Sequence, residues 1–452
     1  MKLEGLFQGK NSVLYGSESK SVLYEKLSNT IHAGKRERLG GLQKRIEKIN
    51  YKPIFETSSL KRSQDDPLSI LFLEITEQCN FRCSYCIYSE NYPNERTETS
   101  KKMSFDTAKK AVDKLVPLSQ NKIMIGFYGG EPLLNMGLVR QIIDYSKERF
   151  PNKEFGFSMT TNFFNADRYI QDIVDNEMYI NLSLDGPKEI HDKCRITKNG
   201  KPTYDKIISN LRKIEEYSSG YIDSHIFILS TCDNPTDIPE IIEFFEQNRY
   251  FVTHINSPDP KGKINLERRI PIESSGINLS KEFTRRILKG EDPKILRRLF
   301  DQDLKSVAVR DVRVMPQELM LNGSCYPGKK RIFVDVNENY HPCERFGHRL
   351  NIGSVEEGVQ QKLVDDAIES FAKMRNELCE ECWAQRICSP CLQHAKDPEG
   401  EFSLKGLSQT CERKKSQLLS ALENYTKLSQ SDMQKTENYI KSINPLFERR
   451  LI

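Results

Sequence analysis

No uninterrupted apolar stretch in this 452-residue chain approaches the roughly 18 residues of a membrane-spanning helix, which argues against a helical integral membrane protein. Neither sign of charge is in excess: 68 Lys and Arg face 64 Asp and Glu, a formal net charge of +4. Without a one-signed field, the composition demands neither a nucleic acid nor a membrane surface as partner. The opening residues, Met1-Lys2-Leu3-Glu4-Gly5-Leu6-Phe7, lack the apolar core of a secretory signal and carry an early acid, so a cytoplasmic protein is expected. What the chain does have is a 37% hydrophobic content able to bury a core, 29% charged residues in keeping with a soluble protein, and a length that suggests two or three domains. It also has twelve cysteines, of which only Cys194 and Cys232 stand outside two clusters with metal-ligand spacing. In a secreted chain so many thiols would suggest disulfides. Clustered in a reducing compartment they favour metal, and their number favours iron–sulfur over a single zinc.

The first cluster organises the chain. In Glu74-Ile75-Thr76-Glu77-Gln78-Cys79-Asn80-Phe81-Arg82-Cys83-Ser84-Tyr85-Cys86, three cysteines stand in a C-x3-C-x2-C spacing just after the apolar run Ile70–Thr76. That run, rich in β-branched and aromatic residues, suits a strand buried in a parallel sheet, which puts the cysteines on the loop at its carboxyl end, where α/β folds place their chemistry. Three thiolates are one short of the four that close a structural zinc site or fully ligate an iron–sulfur cube. The residues alone leave three readings: a 4Fe-4S cluster with one iron open to a ligand that is not protein, a zinc knuckle with a distant fourth ligand, or three reduced thiols. In spacing, and in the aromatic Tyr85 before the last cysteine, the loop resembles that of the radical S-adenosylmethionine (SAM) enzymes. The resemblance implies that Cys79, Cys83 and Cys86 hold a cluster whose free iron binds SAM and whose electron releases a 5′-deoxyadenosyl radical.

From about residue 68 to 257 apolar runs alternate with helical patterns, the signature of βα units. Strands are expected at 70–76, 123–128, 155–161, 179–184, 225–229 and near 251–255, with helices near 106–115 and 135–149. Six such units agree with the partial (β/α)6 barrel of the radical SAM family. Gly129-Gly130-Glu131-Pro132 after the second strand resembles the family motif that receives the SAM amino group. By the same resemblance Ser183 and Asp185 lie near the ribose or methionine part of SAM, Arg195 pairs with its carboxylate, for which a guanidinium fork is suited, and Asn162 ends the third strand beside the site.

The second cluster comprises Cys325, Cys343, Cys379, Cys382, Cys388, Cys391 and Cys411. Seven thiols are too many for one four-coordinate site and one too few for two. The arrangement resembles the SPASM extension, with two auxiliary 4Fe-4S clusters. Carried over residue by residue, the family pattern gives Cys379, Cys382, Cys388 and Cys411 to one cluster and Cys325, Cys343 and Cys391 to the other. Where fully ligated relatives have a further cysteine, this chain has Leu319, which implies an open iron unless Glu318, Cys194, Cys232 or a histidine fills it; Glu338 stands where the pattern has a glycine. An open iron suits a substrate thiolate. The words Cys325-Tyr326-Pro327-Gly328, His341-Pro342-Cys343-Glu344-Arg345 and Cys382-Trp383-Ala384-Gln385-Arg386-Ile387-Cys388 resemble the maturases that install cysteine thioether bridges in ribosomally made peptides, of the sactipeptide, ranthipeptide or SCIFF type.

The chain is expected to form an α/β fold in five parts: residues 1–66 as a small α+β module, 67–257 as the radical SAM partial barrel, 258–318 as a helical bridge, 319–415 as the SPASM domain and 416–452 as a C-terminal helix, the resemblance running from about residue 68 to 415 and the remaining parts read from residue pattern. In the first part, two runs, Ser12–Tyr15 and Ser21–Tyr24, flank a turn and precede a basic segment. They read either as a leader-peptide module working by β-addition or as a hairpin followed by a solvated helix. The arginines Arg285, Arg286, Arg297 and Arg298 of the bridge need no ligand. The expected cofactors are three 4Fe-4S clusters and SAM. The expected partners are a precursor peptide with a leader and a flavodoxin- or ferredoxin-like electron donor, with no nucleic acid and no membrane. Glu344, beside a cluster ligand, is a candidate proton acceptor. Sulfatase maturation, peptide epimerisation and carbon–carbon cyclisation would use the same motifs, and a non-enzymatic iron–sulfur or zinc protein would share the thiols without SAM cleavage.

Overall fold

A computed structural model describes residues 4–57, 65–89, 91–92, 97–248, 250–258, 279–321, 323, 325–347, 350–397, 399 and 401–448. Strands β1 (Phe7–Gln8), β2 (Ser12–Gly16), β3 (Ser21–Glu25) and β4 (Thr30–Gly34) form an antiparallel sheet in that order, with Leu14 opposite Leu23. Side chains alternate across a strand, and here both faces are apolar. Leu14 and Leu23 pack on Leu39 and Ile46 of the helix Arg36–Ile46. Val13, Tyr15, Val22 and Tyr24 pack on Trp383, Leu418 and Leu422 of the cysteine-rich region. The expected hairpin and helix are thus one two-sided unit docked on the far end of the chain. The next strand, β5 (Ile54–Glu56), pairs in parallel with β12 (Glu318–Met320), placing Phe55 opposite Leu319.

Six parallel strands carry the centre: β6 (Leu68–Thr76), β7 (Ser119–Gly129), β8 (Glu154–Thr161), β9 (Tyr179–Ser183), β10 (Ile226–Thr231) and β11 (Val252–Asn256), adjacent in chain order. This is the expected partial barrel. Helices cover the outer face. Phe105–Leu115, N-capped by Ser104 through the Thr107 N–H at 2.9 Å, buries Ala108, Ala111, Val112 and Leu115, and Met136–Arg149 buries Leu138, Val139, Ile142 and Ile143.

The sheet does not stop at β6. Strand β13 (Arg331–Val334) pairs in parallel with the other edge of β6, Phe333 opposite Phe72, and β14 (Asn339–His341), β15 (Gly353–Ser354) and β16 (Gly358–Val359) extend it to ten strands. An unpaired β6 edge would leave a row of backbone donors and acceptors open to other chains; β13 closes it, and so joins the cysteine-rich region to the barrel.

In the bridge, the described helices are Leu279–Lys289 and Arg297–Ala308; residues 259–278 of that expected part lie outside the described residues. Arg285, Arg286 and Arg297 are held by Glu282, Glu246 and Asp301, while Arg298 stacks on Phe251 at 4.9 Å. The helix Leu404–Ser431 carries Cys411 and runs unbroken past residue 415, burying Leu418 and Leu422. Among the described residues no helix is long and apolar enough to cross a membrane.

Candidate active site and thiol groups

The carboxyl ends of the barrel strands open on a cavity of about 1940 Å³. The cysteine loop forms one wall and is fixed from two sides. Residues 194–198 strap it: Arg82 N–H donates to Ile196 O at 2.8 Å, Ser84 N–H to Cys194 O at 3.1 Å and Lys198 N–H to Asn80 O at 2.9 Å. On the other side Gly130 N–H donates to Thr76 O at 2.8 Å and Glu131 N–H to Gln78 O at 2.7 Å. A Cβ at Gly129, whose φ is +135°, would lie 2.1 Å from Thr76 O, and one at Gly130 would lie 2.2 Å from Gln78 O. The two glycines therefore let the end of β7 press on the backbone that carries the cysteines, a role within the protein that the expected approach to a ligand did not include.

Glu131 is buried, and its carboxylate accepts from Leu133 N–H at 3.1 Å, Thr161 Oγ1 at 2.6 Å and Asn162 N–H at 2.7 Å. Burial pushes its carboxyl up to about 7 against those hydrogen bonds. It ties β7 to β8 while lining the cavity. Asn162 donates through Nδ2 to Asn80 Oδ1 at 2.8 Å and lies 4.0 Å from Cys79 Sγ. The turn behind it holds Phe163, buried with φ +59°, a left-handed conformation rare for a bulky residue. Asn210 stabilises it, donating to Phe163 O and Phe164 O at 2.8 and 2.9 Å.

Arg195, expected to meet a SAM carboxylate, is also held by a protein carboxylate. Its Nε donates to Asp185 Oδ2 at 3.0 Å, its plane lies 5.3 Å from the Tyr85 ring centroid, and Nη1 is 3.9 Å from Cys83 Sγ. Burial works against the Arg195 charge, and Asp185, Tyr85 and Cys83 together more than offset it. Asp185 also accepts from Tyr85 Oη and, through Oδ1, from Thr231 N–H at 3.0 Å. Tyr85, Asp185 and Arg195 thus form one buried network behind the loop, and Ser183 stands on the cavity wall beside it.

His191 holds this network, and sequence reasoning missed it. Its Nδ1 accepts from Asp185 N–H at 3.3 Å, which assigns the ring hydrogen to Nε2. Nε2 then donates to Thr203 Oγ1 at 3.0 Å, and Thr203 donates to Arg195 O at 2.7 Å. Burial lowers the imidazole to about 4, so it stays neutral. A lone histidine one helical turn before Arg195 was the only signal in the sequence.

The cysteines gather in three groups whose charges act on one another. Cys79 and Cys83 feel Cys86; Cys325, Cys343 and Cys391 form a second set; Cys382, Cys388 and Cys411 each feel Cys379. Cys194 lies against the first group and Cys232 against Cys194. His341 is engaged by Asp335 and Leu350 O, at 2.9 and 3.0 Å. Glu344 stands within charge reach of all three thiols of the second set and reaches the cavity, with Arg331 Nη1 at 3.8 Å and Arg345 Nε at 4.0 Å. Burial pushes the Cys83 and Cys388 thiols up to about 12 and Cys325 and Cys411 to about 11, so the thiolate form is left for a metal to create. Among the described residues no three of His, Cys, Asp and Glu close around a single metal ion. Soft donors in sets of three, three and four, with Cys343 buried, Cys325 exposed and the rest half-buried, fit iron–sulfur cubes, which take up to four thiolates each.

Parallel strands opening on a cavity rimmed by a three-thiol loop define an α/β enzyme with its chemistry at the strand ends. Residues 73–245 match the profile of the Radical SAM superfamily, so the barrel region is a radical SAM domain. An uncharacterised protein of Methanocaldococcus jannaschii is 36% identical over 180 residues, 40% of this chain and 58% of that protein, so the similarity spans little more than half of that relative. A cysteine-type anaerobic sulfatase-maturating enzyme of Clostridium novyi is 23% identical over 348 residues, 73% of this chain and 89% of that enzyme. Among solved structures, native anSMEcpe with bound AdoMet and Cp18Cys peptide is similar in fold, with a TM-score of 0.57 at 19% identity over 79% of this chain and 98% of that one.

Proposed function

We propose that this radical SAM enzyme modifies a ribosomally made peptide and joins a peptide cysteine to carbon as a thioether. The observation that carries the reading is the second thiol set: Cys325, Cys343 and Cys391 gather without a fourth thiol, Leu319 stands where relatives have one, and Glu344 links the set to the barrel cavity. When bound at Cys79, Cys83 and Cys86, a 4Fe-4S cluster with SAM supplies a 5′-deoxyadenosyl radical able to take hydrogen from an unactivated carbon.

The chain's own residues prepare that event. Residues 194–198 and Gly129–Gly130 hold the cysteine loop in one conformation. The Asp185 carboxylate keeps Arg195 oriented beside Cys83, with Nη1 3.9 Å from its Sγ, where its guanidinium would meet the carboxylate of a bound SAM. Phe72, Tyr128, Phe227 and Phe251 line the cavity and exclude water from a carbon radical. The Glu344 carboxylate, between Arg331 and Arg345, is placed to take the proton of an incoming thiol. The reaction balances: the C–H and S–H bonds break and the C–S bond forms; one hydrogen atom goes to 5′-deoxyadenosine, one proton to Glu344 and one electron to an acceptor of the iron–sulfur class.

The test is anaerobic reconstitution followed by incubation with candidate precursor peptides. About twelve irons, reductant-dependent 5′-deoxyadenosine lost in Cys83→Ala, and a peptide lighter by two hydrogens with one thiol no longer alkylated are the expected results. Zinc in place of iron, or no SAM cleavage by fully reconstituted protein, would overturn the reading. A second reading, oxidation of a cysteine in the manner of sulfatase maturation, is favoured by the 89% coverage of the Clostridium novyi enzyme. It predicts a carbonyl product from the peptide thiol and no C–S bond.

A further inference from the structure

Arg375 lies on the helix Gln361–Cys379, four residues before Cys379 and so on the same face one turn away. Its exposure is 0%, and Nε, Nη1 and Nη2 have no hydrogen-bond acceptor among the described residues. It stacks on Phe55, with 4.0 Å from the guanidinium carbon to the ring centroid. A guanidinium carries five N–H donors, and burying them unpaired is costly. Native interiors seldom tolerate this unless an ion or cofactor takes the bonds. The Arg375 charge acts on Cys388 in the direction that favours its thiolate.

A second buried cation comes from the other end of the chain. Lys26, at the end of β3 and 0% exposed, donates through Nζ to Glu380 O at 3.0 Å, one residue past Cys379, and its charge is coupled to Cys382 and Cys379. Lys414 and Lys415 add charge beside Cys388, Cys382 and Cys411. Of the acids nearby, Glu412 acts on Cys411, and Glu380, between Cys379 and Cys382 in the chain, is paired with Lys52. At the three-thiol set Glu344 acts on each cysteine, with Arg331 also acting on Cys325 and both Arg331 and Arg345 on Cys391.

We propose that Arg375 and Lys26 are counter-charges built for a reducible iron–sulfur group at Cys379, Cys382, Cys388 and Cys411, with the unpaired N–H groups of Arg375 donating to its sulfurs, so that they raise the potential at which this group accepts an electron. The inference rests on reading the cysteines as cluster ligands. Reduction adds one electron from a one-electron donor, breaks no bond and needs no proton. The site gains one negative charge, which buried fixed cations stabilise more than water would.

The experiment is a potentiometric titration of the reconstituted full-length protein with dithionite, followed by electron paramagnetic resonance. The signal lost in Cys388→Ala identifies the four-cysteine group. Arg375→Gln is expected to lower its potential so that the reduced fraction at fixed potential falls at least tenfold, 59 mV for one electron. Lys26→Gln should shift it the same way by less, Arg375→Lys should restore most of the loss, and the other signals should stay in place. Unshifted potentials in both Gln variants with all irons retained would overturn the proposal alone. If Arg375→Gln cannot hold its irons, Lys26→Gln decides by the same criterion. Zinc at these thiols would overturn the cluster reading and this inference with it.

Discussion

Replacing His191 with glutamine removes the one titratable ring in the hydrogen-bond chain that joins Asp185 to Arg195, and the size of the effect follows from burial. His191 is 0% exposed, and burial lowers its imidazole from 6.5 to about 4, with Asp185 and Asp192 pulling the value up and Arg195 and Lys188 pulling it down. Between those two values the unfolded chain binds the proton and the folded chain does not. The stability contributed by the neutral ring is therefore full above pH 6.5 and is lost as pH falls toward 4. Each pH unit in that window is worth about 1.4 kcal/mol, giving about 2 kcal/mol lost by pH 5 and about 3 kcal/mol across the window. Urea unfolding of the barrel, measured for the wild type and His191→Gln at pH 7.5, 6.5 and 5, separates this from the carboxylates, which titrate alike in both proteins. The stability gap between the two should narrow by about 2 kcal/mol from pH 7.5 to 5. Parallel stability curves would refute the account and show that the ring does not stay neutral in the fold.

Asp185→Asn leaves the buried Arg195 guanidinium facing a neutral amide; a loss of about 3 to 5 kcal/mol is expected in denaturant unfolding, together with weakened SAM binding by calorimetry. Gly130→Ala sets a methyl group 2.2 Å from the Gln78 carbonyl, a backbone atom that cannot swing away; after reconstitution the iron count should fall from about twelve to about eight, with 5′-deoxyadenosine formation lost. Leu319→Cys offers the second thiol set a fourth sulfur. Thioether product should drop by tenfold or more while peptide-free SAM cleavage continues, as product analysis by mass spectrometry would show.

The residues that place the chemistry were legible because their signals are local. Each barrel strand is a short apolar run between polar helical stretches, so β6 to β11 could be read in order, and the cysteine loop and Gly129–Gly130 stand at fixed distances from strand ends. The pairings that hold the site lie far apart in sequence and left no such mark. Nothing in Arg331–Val334 announces that it will close the edge of β6, because parallel pairing is set by burial on both faces and by what else competes for the edge. Arg195 was read as a ligand for SAM because its chemistry fits a carboxylate; what the sequence did not announce is that Asp185, ten residues earlier, holds its Nε. The same logic runs the other way at Arg375, whose guanidinium has no hydrogen-bond acceptor among the described residues although it lies one helical turn from Cys379. A charge that the fold neutralises internally is part of the scaffold. A charge that the fold buries and leaves unbonded points to a group the polypeptide does not supply, and here the two cases distinguish the arginine that orients the first thiol set from the one that awaits a partner at the last.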